Sequence, residues 1–179
     1  LKLVRGITSA TIWARDMAKA EICAAACASE LGLSVTATPD GRAAAQDADI
    51  IVTTTPAREP VLLADWVKPG THITAMGSDQ AGKNEIDPQA LIKADLYVAD
   101  RATQVEHLGE LRSAIEAGIW TKGAPVELGD VIRGRARGRK SDAEITICDL
   151  TGTGVQDTAI ATHVMARLKG RDLGTVITA

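Results

Sequence analysis

The sequence has no run approaching the ~18 consecutive apolar residues that a membrane-spanning helix requires, so a membrane role is not expected. It has no low-complexity tract and no internal repeat. Cysteine is scarce: Cys23, Cys27 and Cys148 are too few and too scattered for a secreted disulfide framework. Cys23 and Cys27 stand at i and i+4 of an alanine-rich helical stretch, where free thiols act as small hydrophobes. His72, His107 and His163 form no ligand-spaced group, so no metal is expected. A formal net charge of −3 provides no electrostatic footprint for nucleic acid. The one basic cluster, Arg133 to Lys140, reads as a solvated linker between a helix and a strand, with phosphate contact as the alternative. Initiator methionine and signal peptide are both missing, and a cytoplasmic setting is expected. Leu1-Lys2-Leu3-Val4 reads like the last turn of a helix under way, so the chain is expected to be truncated at its front.

What is present has a globular composition, 45% hydrophobic and 24% charged over 179 residues, enough for one ordinary domain or one and a half small ones. Strand and helix signals alternate, which predicts an α/β fold with a doubly wound, mostly parallel sheet. Ala10–Ala14 is a β-branched and aromatic run, and Asp16 caps a helix over Met17–Leu31 that Gly32 ends. Strands are predicted over Leu33–Ala37, Asp49–Thr54, Thr71–Ala75, Asp95–Ala99 and Glu144–Cys148. Helices are predicted over Asp40–Ala48, Pro88–Lys93, Thr103–Ala117, Leu128–Gly134 and Val155–Lys169, with a β-prone tail over Gly174–Thr178.

The stretch Met76 to Glu85 follows a strand and so falls where an open α/β sheet offers its strand ends to ligands. Asp79 could carry a proton to or from a substrate there, and Lys83 could hold an anionic or hydroxylated cofactor group. A polar turn whose glycines let the chain reverse is the alternative.

Such a sheet commonly binds a dinucleotide through Gly-x-Gly-x-x-Gly after its first strand, and nothing before Ile12 supplies it. Gly152-Thr153-Gly154-Val155-Gln156-Asp157 is a lookalike, but Asp157 would oppose a pyrophosphate at a helix N-terminus. It reads as a close backbone approach or a tight turn. After the Ile12 strand, Arg15 can accept the 2′-phosphate of NADP, while Asp16 can serve a ribose or only cap the helix. Both NAD and NADP stay open, with a lean to NADPH from Arg15.

Taken in order, Trp13-Ala14-Arg15-Asp16, Thr53 to Ala57, Glu59 to Leu62, Trp66 to Ile73, Met76 to Glu85, Glu127 to Val131 and Gly152 to Asp157 resemble the ornithine cyclodeaminase/mu-crystallin family. The resemblance covers the later part of the family. It implies a Rossmann-type NAD(P) domain over residues 1–150 that lacks its first strand. Residues 151–179 would return to an N-terminal substrate and dimerisation domain preceding Leu1. It further implies a homodimer formed through that part, and a small amino or imino acid as substrate. By the same resemblance Asp79 matches a catalytic acid/base carboxylate that also meets substrate, and Lys83 a cofactor-contacting lysine. Met76, Gly77 and Ser78 match the loop beside the nicotinamide, and Thr54, Thr55 and Pro56 a second cofactor loop. Leu150 and Thr151 fall where the family contacts cofactor and substrate, yet Leu150 lacks the usual serine hydroxyl, so only a backbone contact could survive there.

Within the family the motifs are most similar to the ectoine-utilisation and iminosuccinate reductase branches. That implies reduction of a C=N bond beside a carboxylate, with ammonia-releasing cyclodeamination as an alternative. Mu-crystallin-like members, which bind NADPH and ligand without turnover, lack an acid at the Asp79 position. Without a first strand the sheet exposes two unpaired edges, and residues 1–179 are expected not to fold stably alone.

Overall fold

A computed structural model of the chain describes residues 1–171, 173 and 175. Strands β1 (Ser9–Trp13) and β2 (Ser34–Thr38) pair in parallel, Ser9 opposite Ser34 and Trp13 opposite Thr38. Helix α1 (Met17–Leu31) joins them. It begins where the Asp16 carboxylate accepts the Lys19 amide at 3.2 Å and ends where Gly32 turns left-handed at φ 59°. Helix α2 (Gly41–Ala45) starts under a similar Asp40 cap.

The remaining strands are β3 (Ile50–Thr53), β4 (His72–Ala75), β5 (Leu96–Ala99), β6 (Val126–Glu127) and β7 (Thr146–Asp149). They form one sheet in the order β3-β4-β7-β5-β6, every pair parallel. β7, last in the chain, lies between β4 and β5. All four residues of β5 are buried, as in a sheet covered on both faces. Around these strands run α3 (Pro88–Lys93), α4 (Ala102–Val105), α5 (Glu110–Glu116), α6 (Leu128–Ile132) and α7 (Gly154–Leu168). Ile73, Ile86, Leu91, Val105, Leu111 and Ile147 form the centre of the core.

The two sheets do not meet. A hollow of about 910 Å³ separates them, bordered by Ser9–Trp13 on one side and Ile50–Thr53 on the other. A doubly wound sheet in the order 3-2-1-4-5 places its first strand between its second and fourth. The hollow between β1 and β3 falls at that place, as a Rossmann-type sheet without its first strand requires. Trp13 ties the small sheet to the loop after β2 by donating from Nε1 to the Pro39 carbonyl at 3.1 Å.

Two local readings need correction. The continuous helix predicted over Thr103–Ala117 is broken into α4 and α5. At the break, Gly109 lies so near Asp149 that a Cβ would stand 2.5 Å from its Oδ2, and the Glu110 amide donates to the same oxygen at 2.7 Å. An unbroken helix would leave that amide tied to its own backbone. The thiols are not core hydrophobes either: Cys23 is exposed and Cys27 only half-buried, because α1 packs through Ala20 and Ala24.

The basic cluster lies, as expected, on the exposed link between α6 and β7, and surface contacts pin it along its length. Arg135 pairs with Asp130 at 2.6 Å and Arg137 with Glu144 at 2.9 Å, while Arg139 donates to the carbonyls of Gly70 and Asp142. Gly152 lies at φ 81° and turns the chain tightly into α7, which begins at Gly154. Apart from Thr175, the tail expected to be β-prone lies outside the described residues. Among the described residues no helix is long and apolar enough to cross a membrane.

Candidate active site

The parallel registers align the strand ends in one row. Thr53 pairs with Ala75, Ala75 with Asp149, and Asp149 with Ala99. The last ladder bonds run from Met76 N to Thr53 O at 2.9 Å and from Leu150 N to Ala75 O at 2.8 Å. Thr54, Met76 and Leu150 therefore leave the sheet side by side. Three segments far apart in sequence thus reach one edge because their strands are parallel neighbours.

Beyond that row the amides have no ladder partner, and buried carboxylates accept them instead. Glu85, fully buried, accepts the Thr55 amide on one oxygen and the Gly77 amide on the other, the latter at 2.9 Å. Its backbone carbonyl accepts Val61 N at 2.7 Å and Leu62 N at 3.0 Å. Loop 54–62 and loop 76–86 are zipped together as a result. Glu110, also fully buried, accepts the Ser78 hydroxyl, the Asn84 side-chain amide and the amides of Glu85 and Ile86. Burial raises its pKa although those four donors favour the charged form. Asp149 accepts the Tyr97 hydroxyl at 2.5 Å and the Glu110 amide at 2.7 Å on Oδ2. Burial pushes its carboxyl up to about 7 against the Tyr97 bond, with the Glu110 charge adding to the rise. Burial likewise holds Tyr97 well above the usual phenol range.

Asp79 stands outside this network. Its carboxylate is 48% exposed and meets the Lys83 ammonium at 2.6 Å, while Lys83 is 18% exposed. The Lys83 hydrogen bond holds the Asp79 pKa below the ordinary value, so the carboxyl is ionised near neutral pH. Met76 is exposed; Gly77 and Ser78 are buried against Glu85 and Glu110. Thr151 is buried, its hydroxyl donating to Asp100 at 2.9 Å and accepting from Gln104 at 3.0 Å. Asp100 also receives the Gly152 amide at 2.8 Å, closing the turn after β7.

Ten of the residues singled out from sequence thus gather at the ends of β3, β4 and β7: Thr54 to Pro56, Met76 to Asp79, Lys83, Leu150 and Thr151. Arg15 and Asp16 lie in the turn between β1 and α1, beyond the β1 side of the hollow. Arg15 is exposed, while Asp16 caps α1 and approaches Lys19 Nζ at 3.6 Å. Glu85, Glu110, Asp149 and Tyr97 were not singled out from sequence. The available signal was weak: only Asp149 interrupts an apolar run, while Glu85 and Glu110 stand in stretches of mixed polarity and have partners in segments far along the chain. Among the described residues no group of three or more His, Cys, Asp or Glu side chains is arranged to hold a metal ion.

A parallel sheet covered by helices, with polar loops converging at its strand ends, defines this as a Rossmann-type α/β protein. A model of the ornithine cyclodeaminase/mu-crystallin family matches residues 1–172, and the chain belongs to that family. It is similar to an uncharacterised cyclodeaminase of Sinorhizobium fredii, 51% identical over 177 residues, which are 98% of this chain and 54% of that protein. Among solved structures, an archaeal alanine dehydrogenase dimer with bound NAD superimposes with a TM-score of 0.89 at 36% identity, covering 99% of this chain and 54% of that one. The iminosuccinate reductase of Paracoccus denitrificans in complex with NAD⁺ gives a TM-score of 0.86 at 35% identity, covering 99% and 54%. The chain spans about half the length of the curated relatives it matches.

Proposed function

We propose that residues 1–179 form the cofactor-binding part of an NAD(P)H-dependent reductase of a small imino acid, acting in reverse as an amino-acid dehydrogenase. The observation that carries this reading is the Asp79–Lys83 contact at 2.6 Å, set on the same sheet edge as Thr54 and Leu150. A polar turn without chemistry has no need of two buried glutamates to hold its backbone. Support also comes from the relatives: both solved structures described above carry an NAD cofactor, and both act on nitrogen-bearing carboxylates by name.

The residues present fit such a cofactor. Thr53, Thr54 and Thr55 line the hollow, and the buried Thr53 hydroxyl has no partner among the described residues, leaving a polar atom for a bound group to satisfy. Thr54 to Pro56 and Met76 to Ser78 would hold the nicotinamide end, joined by the Leu150 backbone, with Arg15 and Asp16 at the adenosine end. Bound there, the cofactor supplies the hydride. The protein supplies orientation and proton handling. Asp79, ionised and half exposed, takes or returns a proton at the substrate nitrogen or at a water, and Lys83 holds it in that state. Thr151 borders the substrate from the turn after β7.

The proposal extends to domain organisation. Residues 1–150 are the NAD(P) unit, and residues 151–179 return to a second domain outside this chain. None of the α7 side chains is buried, and Val155, Ile160, Val164 and Met165 are exposed along it. The functional unit is a homodimer joined through that second domain, in the cytoplasm.

The test uses the full-length protein with NADH or NADPH, ammonia and a panel of 2-oxo acids, followed by loss of reduced-cofactor absorbance. Turnover is expected for wild type, with kcat lowered about 10²- to 10⁴-fold in Asp79→Asn. Equal rates in the variant would remove Asp79 from the chemistry. Ammonia release from ornithine without a carbonyl acceptor would favour cyclodeamination. Cofactor binding without any turnover would favour a mu-crystallin-like binder.

A further inference from the structure

Helix α5 touches the loop bearing Asp79 and Lys83 at both of its ends. Glu110, at the start of the helix, accepts the hydroxyl of Ser78, immediately before Asp79, and the side-chain amide of Asn84, immediately after Lys83. It also accepts the Glu85 amide at 2.9 and 3.1 Å and the Ile86 amide at 3.0 Å. Two residues further on, Arg112 donates from Nη2 to the carbonyl of Lys83 itself at 3.1 Å. Its Nη1 is braced by Glu116 at 2.5 Å, and its side chain is only 16% exposed. Between these anchors the loop bows outward. Gln80 and Ala81 are exposed, Gly82 turns at φ 79°, and one turn bond, Lys83 N to Gln80 O at 3.2 Å, closes it.

Such an arrangement has a physical reason. A half-exposed ion pair left to itself contributes little, because ordering two side chains offsets the attraction. A buried glutamate and a largely buried arginine carry a desolvation penalty that an apolar pair would avoid. Both features make sense together if the buried groups do the ordering that the exposed pair cannot do. The loop amides lie past the end of the sheet ladder and need acceptors. Glu110 supplies them for Glu85 and Ile86, and Arg112 satisfies the neighbouring Lys83 carbonyl.

We propose that Glu110 and Arg112 are positioning residues that grip the Ser78–Asn84 loop from the first turn of α5 and thereby hold Asp79 against Lys83. The meaning of this grip for catalysis rests on the function proposed above; the grip itself does not. α5 sets the state of the reacting carboxylate without touching substrate, cofactor or Asp79.

The experiment measures the titration midpoint of Asp79 in the full-length protein by NMR of carboxyl-labelled aspartate, with the resonance assigned through Asp79→Asn. Two variants are compared. Ser78→Ala removes the contact to Glu110 without changing any charge, and Arg112→Met removes the contact to the Lys83 carbonyl. Arg58, whose guanidinium lies beside Gly82, is unchanged in both. In each, the Asp79 midpoint is expected to rise by about half a unit, because a loosened Lys83 favours the ionised form less. Cooperative thermal unfolding is expected to persist, with kcat lowered about tenfold in Arg112→Met, the proton carrier being misplaced. A folded variant of either kind with Asp79 titrating as in wild type would overturn the grip. If Arg112→Met does not fold, Ser78→Ala decides alone. Midpoints that move in a protein turning over no imino acid would leave the grip standing and remove the proposed function instead.

Discussion

Gly77 and Glu85 interlock at the end of β4. A Cβ on Gly77 would stand 2.3 Å from Glu85 Oε2 and 2.3 Å from the Thr55 carbonyl oxygen. The Gly77 amide meanwhile donates to that same Oε2 at 2.9 Å. No side chain fits between the two loops that the glutamate joins.

Gly77→Ala is therefore expected to destabilise the protein by about 1–3 kcal/mol, since one close neighbour is backbone and the other is a fully buried carboxylate pinned by two amides. Urea unfolding of the full-length protein would measure it. Wild-type stability in Gly77→Ala would show that the two loops separate easily.

Asp149 makes stability depend on pH with a definite sign. Its folded pKa of about 7 lies above the ordinary carboxyl value of 3.8, so the folded state binds the extra proton. The contribution is complete below about pH 3.8 and is lost as pH rises towards 7. Over that window this site gives a slope of up to about 1.4 kcal/mol per pH unit. Asp149→Asn, which cannot titrate, is expected to flatten the pH dependence of the unfolding free energy between pH 4 and 7. An unchanged slope would place the titrating group elsewhere, with Glu110, also raised by burial, the next to test.

Arg15 follows β1 and is exposed, across the hollow from Thr53 to Thr55. If it receives a 2′-phosphate, Arg15→Ala should weaken NADPH binding by about tenfold, with NADH binding nearly unchanged, as loss of one charge-assisted contact predicts. Titration calorimetry of both cofactors reads the difference. Equal losses for the two would remove the 2′-phosphate role.

Residues 1–179 expressed alone are expected to show no cooperative calorimetric transition. The edges of β1 and β3 face a 910 Å³ hollow instead of a neighbouring strand, and unpaired strand edges are open to association. A sharp, concentration-independent transition would overturn this.

Local chemistry made much of the fold legible in the sequence. Asp16 and Gly32 mark both ends of α1, and Pro88 marks the start of α3, because capping and fixed φ act within a few residues. Alternating strand and helix signals determined a parallel sheet, and a parallel sheet alone brings Thr54, Met76 and Leu150 to one edge. Asp79 and Lys83 were each singled out in the sequence, one as a proton carrier and one as a cofactor contact, but their contact with each other emerged only in the folded loop.

Tertiary structure decided what links segments far apart. Glu85 reaches Thr55 across 30 residues, Glu110 reaches Ser78 across 32, and Tyr97 reaches Asp149 across 52. No periodicity or spacing rule registers such pairs, and a buried acid reads in sequence like any solvated one. The place of β7 between β4 and β5 was equally invisible, since strand order depends on which edges remain open once earlier strands have paired. That placement set the break between α4 and α5, where a glycine and an amide had to meet a carboxylate supplied by the last strand of the sheet.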